Sequence, residues 1–424
     1  MNSSKYNVFV EYKDKVLLYN SINNSFSCFK NDENKDEAIG NFFNSQIAKN
    51  KGYVFEDNYD EDRAFLMKLQ DNSERRFLNL VILPTMQCNF ICPYCYESKT
   101  NDNMQLETIK ALENFISIHL YEYSGLHISW FGGEPLLRMD IIERINKKAQ
   151  QVSKKLGKVF FSSITTNGYL LTTENFSKLL SLDVKDFTVT LDGTRAYHDK
   201  FRKLHNDLGT YNVLIDNINK IKEIKETFNF TIRMNVNKEN FDNLDNFIDE
   251  MYNYFGLDSR FDLALVLTSD WGGQTIKYME NDLLSSSESL YDIIIANKNK
   301  FKFKNMFQLL EGATCKFSNR HSYVVDTKGN LLKCTVYLKH EKAIVGKILP
   351  SGKLEFNYNN LSFWNLHNNF SNDCSNCKMS LLCKGKYCIA VDDYKKTCGY
   401  SIEKLNKMII AKYELEPDSF YCVN

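Results

Sequence analysis

The sequence lacks net charge: 53 Lys and Arg balance 53 Asp and Glu across 424 residues. A balanced chain gives no electrostatic reason to expect nucleic acid or an anionic membrane as partner. No apolar run approaches the ~20 residues that a membrane-spanning helix needs. The opening Met1-Asn-Ser-Ser-Lys-Tyr6 also lacks the apolar core of a signal peptide. These absences predict a cytoplasmic chain with no nucleic acid and no membrane as partner. Cysteine, by contrast, is plentiful, with twelve in all. In a reducing compartment that number argues for metal rather than disulfides.

Three of the cysteines stand together in Pro84-Thr-Met-Gln-Cys88-Asn-Phe-Ile-Cys92-Pro-Tyr-Cys95-Tyr-Glu97. This C-x3-C-x2-C loop follows the apolar run Phe77–Leu83, which reads as a buried strand. Three thiolates on one short loop can each bind one iron of a cubane [4Fe–4S] cluster, and the fourth iron is left to chelate a small molecule. A structural zinc site wants four ligands, usually in two C-x2-C-type pairs, and the nearby residues add no His. Cys92-Pro93 cannot continue a regular strand or helix, which makes three plain core thiols an awkward reading. The loop resembles that of the radical S-adenosylmethionine (SAM) enzymes. The resemblance implies that Cys88, Cys92 and Cys95 carry the catalytic cluster, with Tyr94 among the contacts to SAM.

Residues 1–75 read as a small α+β unit. Tyr6–Glu11, Lys15–Asn20 and Ser25–Lys30 alternate like short antiparallel strands, and Asp36–Lys49 and Asp60–Gln70 read as helices. That order resembles the winged-helix-like leader-recognition domain of peptide-modifying enzymes. From 76 to 275, apolar runs end at Pro84, Phe131, Ile164, Leu191, Val236 and Thr268, with amphipathic segments such as Leu106–Leu120 and Ile141–Lys155 between them. Six strand–helix repeats predict an α/β fold with a parallel sheet and right-handed crossovers. Too few for a closed eight-fold barrel, they fit a partial (β/α)6 TIM-like barrel, whose active site belongs at the C-terminal strand ends. Residues 276–309 read as a linker with bridging helices, and 310–424 as a C-terminal iron–sulfur domain.

The motifs sit at those strand ends. The second strand runs into Trp130-Phe131-Gly132-Gly133-Glu134-Pro135, where two glycines let a backbone come close to a ligand. The third ends in Thr165-Thr166-Asn167-Gly168, whose hydroxyl and amide groups can donate to a carboxylate or ribose. The fourth ends in Thr190-Leu191-Asp192-Gly193, followed by His198-Asp199 and Arg202. The fifth carries Arg233 and Asn235 on one face. In the resembled family the GGE element, here Gly132, Gly133 and Glu134, holds the methionyl amino group of SAM. The resemblance extends the cofactor contacts to Thr166, Asn167, Asp192, Arg202, Arg233 and Asn235. Either Arg202 or Arg233 could bind the methionyl carboxylate.

A second cysteine array lies downstream, with Cys315, then Gly329-Asn-Leu-Leu-Lys-Cys334, then Cys374-Ser-Asn-Cys377, Cys383, Cys388 and Cys398. It is similar to the SPASM extension, which binds two auxiliary [4Fe–4S] clusters. The resemblance groups Cys315, Cys334 and Cys388 on the first, and Cys374, Cys377, Cys383 and Cys398 on the second. A zinc ribbon could use the last four but leaves Cys315 and the G-x4-C element unexplained. Four residues separate Cys383 from Cys388 where the family usually has three. The first auxiliary cluster would then have three cysteines and either an open iron or a further ligand such as His321. Sulfatase maturases of the family carry Asp after the G-x4-C cysteine, where this chain has Thr335, and that argues against sulfatase maturation. Cys28 and Cys422 lie outside both arrays and read as packing or incidental thiols.

Together these features imply an oxidising radical SAM enzyme. Its cofactors would be SAM and three [4Fe–4S] clusters, one SAM-binding and two auxiliary. Its partners would be a precursor peptide with a leader and a flavodoxin- or ferredoxin-type electron donor. The leading reaction is thioether or carbon–carbon crosslinking after hydrogen abstraction. The alternatives are dehydrogenation or epimerisation of a peptide or protein side chain, or a non-catalytic electron carrier, which would have no use for the GGE, TTNG and LDG series.

Overall fold

The computed structural model describes residues 2–61, 63–64, 77–97, 99–256, 258–268, 283–304, 310, 319–336, 338, 340–366, 377–383 and 402–423. All six strands expected of the barrel form: β4 (Phe77–Ile82), β5 (Gly125–Trp130), β6 (Val159–Thr166), β7 (Val184–Thr190), β8 (Asn229–Val236) and β9 (Phe261–Leu267). They pair in parallel and in chain order. Because β4 and β9 lie at opposite ends of this array, the barrel stays open.

Its connections are helical, through α3 (Leu106–His119), α4 (Met139–Leu156), α5 (Thr173–Ser181), α6 (Arg195–Phe201), α7 (Tyr211–Lys222) and α8 (Leu244–Phe255). Each longer helix buries an i, i+3/i+4 stripe, such as Ile141, Ile142, Ile145 and Ala149 of α4. The stripes meet the apolar face of the sheet, which includes Leu80, Ile82, Ile128, Ile164, Phe187 and Ile232. Each such side chain contributes about 1.5–3 kcal/mol when fully buried. Several buried polar side chains in this layer are paired. The fully buried Trp130 donates Nε1–H to Asn146 Oδ1 at 3.1 Å, and Asn146 Nδ2 donates to Leu182 O at 2.9 Å. Alternation along the strands leaves His127, Ser129, Ser163, Thr165, Thr188, Arg233 and Asn235 in a half-buried polar row on the other face.

The downstream segment continues this sheet. β10 (Ser322–Val325) pairs in parallel with β4, from Ser322 opposite Asn79 to Val325 opposite Ile82. β11 (Asn330–Leu332), β12 (Ile344–Ile348) and β13 (Leu354–Phe356) then follow as an antiparallel meander. No break in the sheet marks the change at 310.

The N-terminal strands form as β1 (Asn7–Tyr12), β2 (Lys15–Asn20) and β3 (Ser25–Lys30), an antiparallel meander. The helix expected over Asp36–Lys49 is two, α1 (Lys35–Phe43) and α2 (Gln46–Asn50), because Ser45 caps the second by accepting from Ala48 N at 3.2 Å. Most of the expected Asp60–Gln70 helix lies outside the described residues. One face of the sheet packs Val16, Leu18 and Phe29 on Phe42, Ala48 and Tyr53. The other packs Val8, Val10, Leu17 and Tyr19 on Tyr291 of α9 (Leu283–Ala296) and Leu405, Met408 and Ile409 of α10 (Ile402–Leu415).

A fourth strand, β14 (Tyr421–Cys422), pairs in parallel with β3, and Cys28 and Cys422 are joined in a disulfide. This corrects the reading of both as packing or incidental thiols, and with it the expectation of metal rather than disulfides. Strand pairing places Cys422 directly opposite Cys28, a neighbourhood that a separation of 394 residues hides from the sequence.

Candidate active site

The cysteine loop leaves β4 at Leu83, whose N–H donates to Val325 O at 2.9 Å, so β10 helps to set its course. Phe90, fully buried, anchors the loop against the 203–209 turn, where Ile91 N donates to Lys203 O at 2.9 Å. Lys99 Nζ donates to Phe90 O at 2.5 Å. The Cys88, Cys92 and Cys95 thiols are unpaired and half-buried. Phe90 N and Asn167 Nδ2 both point at Cys88 Sγ, at 3.4 and 3.9 Å. Burial pushes the Cys88 thiol up to about 11 and raises Cys95 as well, so both need a nearby positive charge to ionise.

The GGE element lies across this loop. Gly133 N donates to Thr85 O at 3.2 Å and Glu134 N to Gln87 O at 2.7 Å. Gly132 has φ +109°, and a Cβ there would stand 2.6 Å from Thr85 O; at Gly133 it would stand 2.1 Å from Gln87 O. Both positions need glycine because the loop's own backbone is in the way. Glu134 is fully buried and takes three bonds, from Leu136 N (3.0 Å) and Thr166 Oγ1 (2.7 Å) at Oε1 and from Asn167 N (2.8 Å) at Oε2. Its carboxylate thus welds the second strand end to the third. Burial raises its pKa, and those three donors oppose the rise. Asn167 carries the link onward, donating Nδ2–H to Asn89 Oδ1 at 2.7 Å.

The fourth and fifth strand ends meet at Asp192, which is buried. Its Oδ1 accepts from Asn235 N and Nδ2, both at 3.0 Å. Its Oδ2 accepts from the Tyr94 hydroxyl and lies 3.5 Å from Arg202 Nη1. Arg202 Nη1 donates to Tyr94 Oη at 2.8 Å, and its guanidinium lies 5.6 Å from the centre of the Phe90 ring. Burial opposes the Arg202 charge, but Cys92, Asp192, Cys88 and Cys95 together hold its pKa above the usual value. Burial lowers Arg233, whose Nε donates to Asn235 Oδ1 at 3.1 Å. The charges of all three thiols thus reach Arg202, and its buried Nε has no hydrogen-bond partner among the described residues.

Downstream, Cys334 is buried, and Val336 N donates to its sulfur at 3.3 Å. Tyr96 of the first loop lies close enough to Cys334 to feel its charge. Cys377 is unpaired and half-buried, and Cys383 closes the short helix Ser380–Cys383. Cys315, Cys374, Cys388 and Cys398 lie outside the described residues. His321 sits beside the start of β4, where its carbonyl accepts from Asn79 N, and its ring meets Tyr123 edge-on at 5.3 Å. That is the end of the strand away from the cysteine loop.

Residues 82–251 match the radical SAM superfamily. That stretch is a radical SAM domain. The chain is 26% identical over 186 residues to a cysteine-type anaerobic sulfatase-maturating enzyme of Clostridium novyi, a match that covers 42% of this chain and 48% of that one. It therefore spans about half the length of that relative. It is 24% identical over 422 residues to the radical SAM cyclopropyl synthase TigE of Paramaledivibacter caminithermalis, which covers 89% of this chain and 81% of TigE. Among solved structures, Streptococcus suis SuiB bound to its precursor peptide SuiA superimposes with a TM-score of 0.54 at 18% identity, covering 93% of this chain and 97% of SuiB. That likeness is one of fold.

A radical SAM protein holds a SAM-binding [4Fe–4S] cluster and SAM, and the site's chemistry fits both. Among the described residues no three His, Cys, Asp or Glu side chains converge on a point for one metal ion, and a cubane needs none, since each thiolate binds its own iron. Two orphaned polar atoms, Arg202 Nε and Glu97 Oε1, are buried near the loop. Neither Phe90, which seats the loop, nor Glu97 carried a sequence signal beyond position in the motif. His198 stood in the quoted stretch without a role, and the structure supplies one: its Nδ1 accepts from Asp192 N at 3.3 Å.

Proposed function

We propose that this chain, with its radical SAM domain, is a SPASM-type maturase that oxidises a ribosomally made precursor peptide, closing a carbon–carbon or thioether crosslink. The observation that carries the reading is Arg202, a buried cation with an unpartnered Nε, held against Phe90 of the cysteine loop and beside Tyr94 within it, where the charges of the three unbonded thiols reach it. A cubane with three thiolates and a carboxylate-bearing cofactor brings the negative charge that such a cation would balance. When bound, the cluster and SAM supply the electron and the hydrogen-abstracting carbon radical.

The chain's own residues bind and orient. Cys88, Cys92 and Cys95 would hold the cluster. Glu134 and Asn167 fix the loop to the second and third strand ends. Asp192, gripped by Asn235, keeps Tyr94 and Arg202 in register beneath it. The half-buried polar row from His127 to Asn235 would line the approach for a peptide side chain. Cys315, Cys334 and Cys388, and Cys374, Cys377, Cys383 and Cys398, would hold the two auxiliary clusters, a plausible electron sink, with a flavodoxin- or ferredoxin-type donor upstream. Of the two bonds, the near full-length relation to a cyclopropyl synthase favours carbon–carbon closure. Thr335 weighs against sulfatase maturation.

Anaerobic reconstitution with dithionite and SAM tests the reading. The expected results are about twelve irons per chain, 5′-deoxyadenosine, and loss of two hydrogens from a peptide encoded beside this gene. A stable zinc stoichiometry with little iron would sink the auxiliary-cluster assignment. Absence of 5′-deoxyadenosine would sink the whole.

A further inference from the structure

The N-terminal sheet has the order β14-β3-β2-β1, so one of its edges is covered by this chain's own C-terminus. Tyr421 pairs with Ser27 and Cys422 with Cys28, and Val423 N donates to Cys28 O at 2.8 Å. The covering is short: β3 spans six residues, and the strand laid on it spans two. Tyr421 and Cys422 are themselves exposed, and the residues on either side of them anchor the strand. Phe420 is buried against Phe26, ring centres 5.0 Å apart. Tyr421 stacks on Phe42 at 6.1 Å, and Val423 packs against the core of Val16, Leu18, Phe29 and Phe42. Beside Tyr421 and Val423 the groove along α1 and α2 stays open as a cavity of about 530 Å³, lined by Phe42 and Ile47 together with the polar Asn34, Glu37 and Asn41. The disulfide from Cys28 to Cys422 ties the two strands together.

We propose that the Ser25–Lys30 edge is a strand-addition site for an extended peptide, that the C-terminal strand occupies it at rest, and that the Cys28–Cys422 disulfide is its latch. The tail itself defines what the site accepts. An incoming strand would pair with the backbone of β3 and place apolar or aromatic side chains at alternate positions into the α1–α2 groove, as Tyr421 and Val423 do. Proline is excluded wherever a strand N–H must donate, as Val423 N does. With the latch closed, the tail competes at the high effective concentration of a tethered segment. A dithiol opens it by thiol–disulfide exchange. The S–S bond between Cys28 and Cys422 breaks, each sulfur gains one electron and one proton, and the donor dithiol leaves as its own disulfide. Peptide capture thus falls under oxidising conditions. The proposal rests on the reading of the substrate as a peptide.

The test uses a fluorescein-labelled synthetic peptide of residues 418–424 carrying Cys422→Ser, with anisotropy measured anaerobically. Four states are compared: oxidised protein, protein treated with a dithiol, the Cys422→Ser variant, and a chain shortened to end at Ser419. Binding at least tenfold tighter to the shortened chain than to the oxidised protein is expected, with the reduced and Cys422→Ser forms between them. Equal affinity across all four, or no binding to any, overturns the proposal. Should the shortened chain fail to fold, the oxidised-against-Cys422→Ser difference decides. Alkylation mapping supplies the second readout: Cys28 and Cys422 must resist labelling until reduced, and free labelling in the oxidised protein refutes the latch. Tail-peptide binding alongside 5′-deoxyadenosine without any modified precursor would defeat only the maturase reading.

Discussion

Two sets of cysteines in this chain have opposite histories. Cys88, Cys92 and Cys95 fall within eight residues and stay unbonded. Cys28 and Cys422 are 394 residues apart and are bonded to each other. The first set is held apart by its scaffold. Pro93 stops any regular pairing, Phe90 is buried under the loop, and Arg202 offers the thiols a cation in place of one another. The second set lies on neighbouring strands, with Cys28 buried in an apolar core and Cys422 directly opposite it, where a bridge satisfies both sulfurs. Proximity in sequence marks cysteines for a cluster here, and proximity across a sheet marks them for a bond.

The largest break in that comparison comes from the loop. Replacing Cys88, Cys92 and Cys95 together by Ala should abolish SAM cleavage and remove about four irons, while the Cys28–Cys422 bond still forms. Iron and 5′-deoxyadenosine assays measure the first, and thiol mapping the second. Retained cleavage would mean that the active cluster lies elsewhere.

The next sharpens the role of the cation. Arg202→Met leaves Asp192 buried without its counter-charge, at a cost of about 3 kcal/mol in stability, and removes the cation beside the cysteine loop. Asp192→Asn keeps the shape and leaves Arg202 its thiol neighbours, so it should cost less. Urea midpoints compare the two. Equal losses would show that Arg202 answers to Asp192 alone.

Much of this arrangement is legible in the sequence, for a physical reason. Parallel strands buried on one face by helices read as apolar runs with abrupt ends, and some of the mouth residues follow such an end by a position or two. Asp192 after β7 and Asn167 after β6 are of this kind. Gly132 and Gly133 were legible as a close approach, but the partner proves to be the carbonyls of Thr85 and Gln87 in the cysteine loop. What the sequence hides is pairing between distant segments. Nothing in Ser322–Val325 says that it extends the barrel sheet at β4, and nothing in Tyr421–Cys422 says that it joins β3. The consequence is practical. Deleting residues 1–75 would bare Leu405, Met408 and Ile409 of α10, so loss of peptide modification in that truncation would not isolate a leader-binding role.

A smaller effect belongs to the latch. Cys28→Ser should leave iron content and SAM cleavage unchanged, because the disulfide lies outside the barrel. In oxidised protein it should lower stability by at most about 6 kcal/mol in the loop-entropy picture, and after reduction the difference from the parent should vanish. A difference that survives reduction would make Cys28 a packing residue first.

The smallest effect is carried by His198, which ties together the two partners of the buried pair. Its Nδ1 accepts from Asp192 N, and its Nε2 lies 3.0 Å from Thr210 Oγ1, whose hydroxyl donates to Arg202 O at 2.7 Å. That hydroxyl proton is committed, so Nε2 must carry the ring's hydrogen and Nδ1 its lone pair. A second proton would set N–H against N–H at Asp192. Burial first, and the Arg202 charge second, hold the His198 pKa well below its ordinary value. The unfolded chain, with His near ~6.5, therefore binds more protons than the folded one as the medium is acidified. The sign follows: this contribution is fully present above the unfolded pKa and is lost as pH falls below it, by up to about 1.4 kcal/mol per pH unit. His198→Asn keeps an acceptor for Asp192 N and cannot titrate. Urea midpoints of the reconstituted protein between pH 7 and pH 5 should fall more steeply for the parent than for the variant. Parallel slopes would remove His198 from the account and leave its two hydrogen bonds a purely structural tie.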